Sequence, residues 1–215
     1  MHRKYAFALA LLLVLGMGLC YVYAPSSYVW NNDVEALRRV TPPLRTLLTV
    51  ELLLLLGVGL LGLRLVSIQS SKQKIGALLL VLFGWGLAEK LVHQQLATEH
   101  YTIWKYEFTD AETSQQAQPA ITTKLLPLFL HDVQSSTEPT RIRAKLAVAL
   151  GEARTQAAYP ALQAIVQDPH QNPYLQFHCL KALRLLQPQR FSTVLATSPS
   201  DSAIALYRKY EPSKL

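Results

Sequence analysis

The sequence predicts an all-α fold: three helices long and apolar enough to cross a membrane, followed by a compact set of short helices packed in pairs. Three observations carry this. Half of the 215 residues are hydrophobic and only 16% are charged, against about 25% in soluble domains. The long charge-free runs are concentrated before residue 97. From residue 119 onward, apolar residues fall at helical spacing in blocks bounded by Pro, Asp, Ser and Asn, without strand alternation. The apolar content excludes a disordered chain, and two cysteines in very different surroundings, Cys20 and Cys179, exclude a disulfide scaffold.

The membrane region occupies 1–97. His2, Arg3 and Lys4 precede a charge-free run over 5–24, long enough at ~1.5 Å per residue to cross a hydrocarbon core of ~30 Å. A cleaved leader opens in the same way. Pro25 directly after Ala24 makes a poor cleavage junction, however, and Leu19 before Cys20 is wrong for a lipid-modified cysteine, so the run reads as an uncleaved anchor. The second span covers 44–66, with Thr41 as its N-cap and Pro42 and Pro43 in the first turn, where a missing N–H costs nothing. The third covers 75–96. Its charge-free part ends at Ala88, so Glu89 and Lys90 must lie near an interface and snorkel.

The polar turn over 69–74 is short enough to force the last two spans to be antiparallel neighbours. Glu51 and Glu89 are each nineteen positions from Ser70, which sets them at similar depth. Glu51, Glu89 and Lys90 are therefore the candidate intramembrane charges, with an ion pair between Glu51 and Lys90. The plainer readings are hydrated charges at headgroup level or a pair that only fixes the hairpin. Small residues four apart, such as Gly84 with Ala88, suit close packing of helices. Basic residues near the span ends are equal in number on the two sides; their density favours a multi-pass protein of the cell membrane with the N-terminus in the cytoplasm and the C-terminal domain on the extracytoplasmic side.

Asn31, Asn32 and Asp33 are capping candidates for a short helix through Val40. After the third span, 98–118 is a juxtamembrane segment and linker. Its aromatic run, Tyr101, Ile103, Trp104, Tyr106 and Phe108, suits a strand, an interfacial anchor or the start of the next domain. Polar residues over 109–119 then read as the linker proper.

The domain over 119–215 is expected to hold helices near 121–130, 141–153, 159–167, 174–186, 191–196 and 203–210. A shift of thirty-three residues aligns Ile142 with Leu175, Leu146 with Cys179, Leu150 with Leu183 and Pro127 with Pro160. Ile142, Arg143, Leu146, Ala147, Ala149, Leu150 and Gly151, followed by Pro160, Leu162, Ile165 and Asp168, resemble the short bacterial HEAT-like repeats of the phycobilisome-lyase type. The resemblance implies a small α-solenoid of two and a half to three helix pairs. Within it, Gly151 supplies a C-terminal turn and Asp168 before Pro169 stops the second helix. The second copy departs from the pattern, with Gln176 in place of the arginine and Arg184 in place of the glycine.

Repeats of this kind bind partners on an extended surface and seldom carry catalysis. The resemblance therefore implies a membrane-anchored protein-binding or scaffolding module and no enzyme. The candidate partner surface comprises Arg141, Arg143, Lys145, Arg154, Lys181 and Arg184. The segment after residue 119 carries eleven Lys and Arg against six Asp and Glu, which suits an acidic protein or anionic lipid headgroups. The basic residues are too scattered for nucleic acid. The rival expectations are an accessory subunit held in a membrane complex through its spans, and a membrane enzyme or transporter component using Glu51 and Glu89. No phosphate loop, paired-cysteine metal motif or nucleophile elbow is present. Glu89, His93 and His100 share a helical stripe, but one stripe lacks a convergent fourth ligand, so no metal, cofactor or catalytic residue is expected.

Overall fold

The computed structural model describes residues 15, 16, 18, 34–66, 71–107 and 119–211. The described chain is all-α, with nine α-helices, and falls into two units, Met1–Glu107 and Phe108–Leu215. The expected first span over 5–24 lies outside the described residues, apart from Leu15, Gly16 and Gly18, which are helical. Two described helices are long and apolar enough to cross a membrane.

In the first unit, α1 (Val34–Val66) packs against α2 (Ser71–Gln95) and α3 (Ala97–Tyr106). The short helix ending near Val40 and the second span are one continuous helix, which runs through Pro42 and Pro43. Thr41 is not its N-cap: the hydroxyl donates back to the Leu37 carbonyl at 2.7 Å. Thr46 and Thr49 likewise donate to the carbonyls of Pro42 and Arg45. Such side-chain bonds to the preceding turn use carbonyl capacity locally and favour a bend rather than a stop. The aromatic run after α2 is helical from Tyr101 to Tyr106, not a strand, and its last residue, Phe108, lies outside the described residues. A single turn residue at Leu96 separates α3 from α2, and His100 N–H donates to the Leu96 carbonyl at 3.0 Å.

Burial inverts along this hairpin. Leu60 and Leu80 are 66% and 74% exposed, whereas Val40 and Trp104 are 0% and 4% exposed. Ala36, Val40 and Leu44 form a buried stripe at intervals of four, and Tyr101, Ile103, Trp104 and Tyr106 are buried on α3. In water the exposed leucines would cost ~25 cal/mol for each Å² of apolar surface left wet, whereas hydrocarbon removes that cost. The half-buried seam between the long helices is Leu47, Glu51, Leu54 and Val58 on α1, with Ala77, Val81, Trp85, Ala88 and Val92 on α2. A Cβ built at Gly84 would have nothing within 4 Å among the described residues.

The second unit comprises α4 (Leu126–Gln134), α5 (Thr140–Glu152), α6 (Tyr159–Gln167), α7 (Pro173–Leu186), α8 (Phe191–Thr197) and α9 (Asp201–Tyr210). α5, α7 and α9 lie side by side, α4 and α6 pack behind α5 and α7, and α8 packs on α7. The first helix begins later than the expected 121–130, because Pro127 takes a first-turn position, where it is preorganised for the helix.

The interval of thirty-three residues is physical. It separates both ends of α4 and α6 and the starts of α5 and α7. It also relates the turns that follow α4 and α6. Glu138 N–H donates to Ser135 O at 3.3 Å and Gln171 N–H to Asp168 O at 3.2 Å. Thr137 N–H reaches the Ser135 hydroxyl at 3.4 Å, and His170 N–H the Asp168 carboxylate at 2.9 Å. The third pair drifts from the interval, and α8 has 7 residues where α6 has 9.

Gly151 does not make the C-terminal turn of α5. That turn is made by Arg154, with φ 49°, flanked by Arg154 N–H to Gly151 O at 2.9 Å and Thr155 N–H to Leu150 O at 3.1 Å, the paired bonds of a Schellman cap. Gly151 serves helix packing instead: a Cβ there would lie 2.7 Å from the Cα of Ala182 on α7.

Candidate docking surface and membrane-boundary charges

The six basic residues expected to form one partner surface do not do so. Every residue of α5 from Ile142 to Gly151 is buried, which removes Arg143 and Lys145, the latter only 3% exposed. Arg143 turns inward to hold the end of α4, where its Nε donates to the carbonyl of Val133 at 2.9 Å. Burial lowers its pKa from the ordinary arginine value, opposed by Cys179 and Asp168, yet the guanidinium stays charged. Burial also pushes the Cys179 thiol well above its usual range, with Arg143 opposing, so Cys179 is an inert core residue.

Arg141 and Arg154 are exposed. Lys181 pairs with Glu211 at 3.2 Å and lies 5.5 Å above the Phe177 ring. Arg184 donates to the Tyr207 hydroxyl at 3.4 Å. Helical periodicity does not separate these roles, because a basic residue that holds a carbonyl and one that faces water have the same letter.

Gln176, thirty-three positions after Arg143, does the equivalent work. Its Nε2 donates to the carbonyls of Val166 at 3.2 Å and Asp168 at 2.8 Å. The departure from the arginine thus keeps the hydrogen bond and drops the charge. Asp168 closes α6 as its C-cap. Its carboxylate is held below the usual range first by the Gln171 side chain, which donates at 2.8 Å, then by His170 N–H.

Exposed apolar side chains lie elsewhere in this unit. Among the described residues of the second unit, the exposed large apolar side chains are Tyr174, Leu185 and Tyr210. Tyr174, Lys181 and Leu185 recur at helical spacing on one side of α7. Tyr210 on α9 approaches Phe177 at 6.1 Å between ring centroids, and Lys209 stands 5.1 Å over the Tyr210 ring. His178 is buried edge-on to Tyr174 at 4.5 Å. The spacing of Tyr174, Lys181 and Leu185 is visible in the sequence, but apolar residues at that spacing ordinarily face a core.

At the other unit's boundary, Arg39 donates to Glu35 at 2.8 Å and to the Tyr106 hydroxyl, tying the start of α1 to the end of α3. Lys105 is buried, with its ammonium 4.9 Å above the Tyr106 ring. Glu51 is half-buried on the seam facing α2, whereas Lys90 is exposed. Ala88 and Val92 occupy the seam, which puts Lys90 on the opposite side of α2. Equal depth along the hairpin thus does not by itself bring Glu51 and Lys90 to one azimuth. The side chain of Glu89 lies outside the described residues, as does that of His93. Among the described residues, no three His, Cys, Asp or Glu side chains gather to hold a metal.

No protein family, no curated protein and no solved structure matches the chain.

Proposed function

We propose that this protein is a membrane-held docking module, in which an apolar hairpin fixes the chain in the bilayer and a HEAT-like set of helix pairs presents a binding face to another protein. The observation that carries the reading is the repeated pair itself, with Arg143 and Gln176 holding equivalent carbonyls at the same interval. Stacked pairs of this kind bury one continuous core and leave one side of a helix row open to partners. Here that side bears Tyr174, Leu185 and Tyr210. Exposed aromatic anchors are typical of interface hot spots, and neighbouring Lys209 and Arg208 suit an acidic partner. The reading assigns no catalysis and no cofactor, and it keeps the second unit outside the cytoplasm, with the N-terminus inside.

The competing reading, an accessory subunit held by its spans, differs in where the partner touches. A photo-crosslinking residue placed in the full chain at Tyr174, Leu185 or Tyr210 is expected to give one discrete adduct in native membranes. The same residue at Ala164 or Gln167, on the opposite row, gives none. Adducts only from Leu60 or Leu80 would replace the docking reading by the subunit reading.

A further inference from the structure

The two legs of the hairpin are interrupted at one level. In α1, Pro42 and Pro43 follow one another inside the helix. Proline has no N–H, so the carbonyls four residues earlier, on Arg38 and Arg39, lose their helical donors, and each ring crowds the carbonyl it fails to bond. Three threonine hydroxyls bracket this point and draw on the Leu37, Pro42 and Arg45 carbonyls, which loosens the neighbouring turns. In the other leg, Leu96 separates α2 from α3 with φ −89° and ψ 19°, in the bridge region outside the α-helical well. Pro43 is twenty-three residues before the end of α1 at Val66, and Leu96 is twenty-five after the start of α2 at Ser71. At ~1.5 Å per residue these levels differ by about 3 Å.

Beyond the interruptions the segments hold together. Ala36 and Val40 of α1 are buried, as are Tyr101, Trp104 and Tyr106 of α3, and the two helices pack on each other. Arg39 clasps them through its bond to the Tyr106 hydroxyl. On the hairpin side of the interruptions, Leu53, Leu60, Leu80 and Leu87 are exposed. The breaks therefore fall where two differently packed parts meet, with buried Leu44 at the pivot.

We propose that the first unit is jointed: Val34–Thr41 and α3 turn as one body on the apolar hairpin, about the level of Pro42, Pro43 and Leu96. One broken helix alone would fray, whereas two breaks at one level with a clasp beyond them make a hinge. The chain runs on from α3 through 108–118 into the second unit, so the turning body is the one that bears the proposed docking module. The joint goes beyond the docking reading and does not rest on it.

The test measures distances between paired spin labels on the full chain in lipid nanodiscs, in a Cys20→Ser background. Arg38→Cys with Leu60→Cys straddles the prolines, Ile75→Cys with Thr102→Cys straddles Leu96, and Ile75→Cys with Leu91→Cys lies within α2. Freezing captures every angle that a hinge visits on the μs–ms scale, so both straddling pairs should give distributions about twice as broad as the α2 pair. Pro42→Ala with Pro43→Ala restores both donors and narrows both straddling distributions to the α2 width. The effect reaches the pair across Leu96 because the clasped segments move together. Straddling pairs as narrow as the α2 pair in the parent chain mean a fixed bend and overturn the joint. Breadth that the alanines leave unchanged, or narrowing across the prolines alone, also overturns it. Each of these outcomes leaves crosslinking at Tyr174, Leu185 and Tyr210 as it was, so the joint can fail while the docking reading stands.

Discussion

Gln176 stands in the second helix pair where Arg143 stands in the first, and each donates to a valine carbonyl ten positions earlier, Val166 at 3.2 Å and Val133 at 2.9 Å. A neutral amide and a guanidinium are different chemistry, but both supply an N–H to the orphaned carbonyls that every helix leaves at its C-terminus. This equivalence supports the repeat more directly than matching leucines, which recur at helical spacing by chance in any leucine-rich chain.

Gln176→Leu keeps the volume and removes the donor. The carbonyls of Val166 and Asp168 are then left without it in a buried site, at a cost of ~1–3 kcal/mol. Part of this is offset, because the Gln176 Oε1 is itself buried without a hydrogen bond. Thermal unfolding of the full chain in detergent, followed by limited proteolysis of the second unit, should show a lower midpoint. An unchanged midpoint would mean that the hydrogen bond contributes nothing.

Gly151→Ala drives a methyl to 2.7 Å from the Cα of Ala182 and 2.8 Å from its Cβ. Backbone cannot yield as a flexible side-chain end would, so α5 and α7 must separate, at ~1–3 kcal/mol. Adding Ala182→Gly relieves the clash with the Cβ and leaves the clash with the backbone, so the double variant should recover part of the lost stability. Independent, additive losses in the two single variants would contradict the close approach.

Arg154 adopts a left-handed conformation with φ 49°, which costs an L-residue with a Cβ roughly 1–2 kcal/mol. Arg154→Gly should therefore raise the unfolding midpoint, by less than that cost because glycine also loosens the unfolded chain. A fall in the midpoint would assign the arginine side chain a stabilising interaction.

Asp168 contributes pH dependence of a definite sign. Hydrogen bonds from Gln171 and from His170 N–H hold its folded-state pKa down, so its contribution is fully present above the unfolded value of ~3.9. It is lost as pH falls through the folded-state value. Asp168→Asn should lower stability at neutral pH and flatten the acid limb below about pH 4. Parallel acid limbs for parent and variant would remove Asp168 from the account.

The legible part of the fold is set by local chemistry. The sequence predicts a helix over 159–167, and α6 occurs as Tyr159–Gln167, since Pro160 opens it and Asp168 closes it. What depends on direction is not legible. Arg143 and Lys145 read as surface charge because nothing in their spacing says that Arg143 turns back to Val133. Glu51 and Lys90 are matched by depth, which counts residues, whereas pairing depends on the rotation of each helix. Pro42 and Pro43 suggest a helix start, yet the helix runs through them. The aromatic run suggests a strand by propensity, and packing of Tyr101, Trp104 and Tyr106 makes it a helix.

In the proposed membrane arrangement the exposed leucines of α1 and α2 face hydrocarbon, while the same unit buries Val40 and Trp104. The direct measurement places a cysteine at Leu60 or at Leu80, in a Cys20→Ser background, and treats intact membranes with a membrane-impermeant maleimide. The account predicts no labelling at either position until detergent is added, although both side chains are exposed on the chain itself. Rapid labelling of both in intact membranes would contradict it.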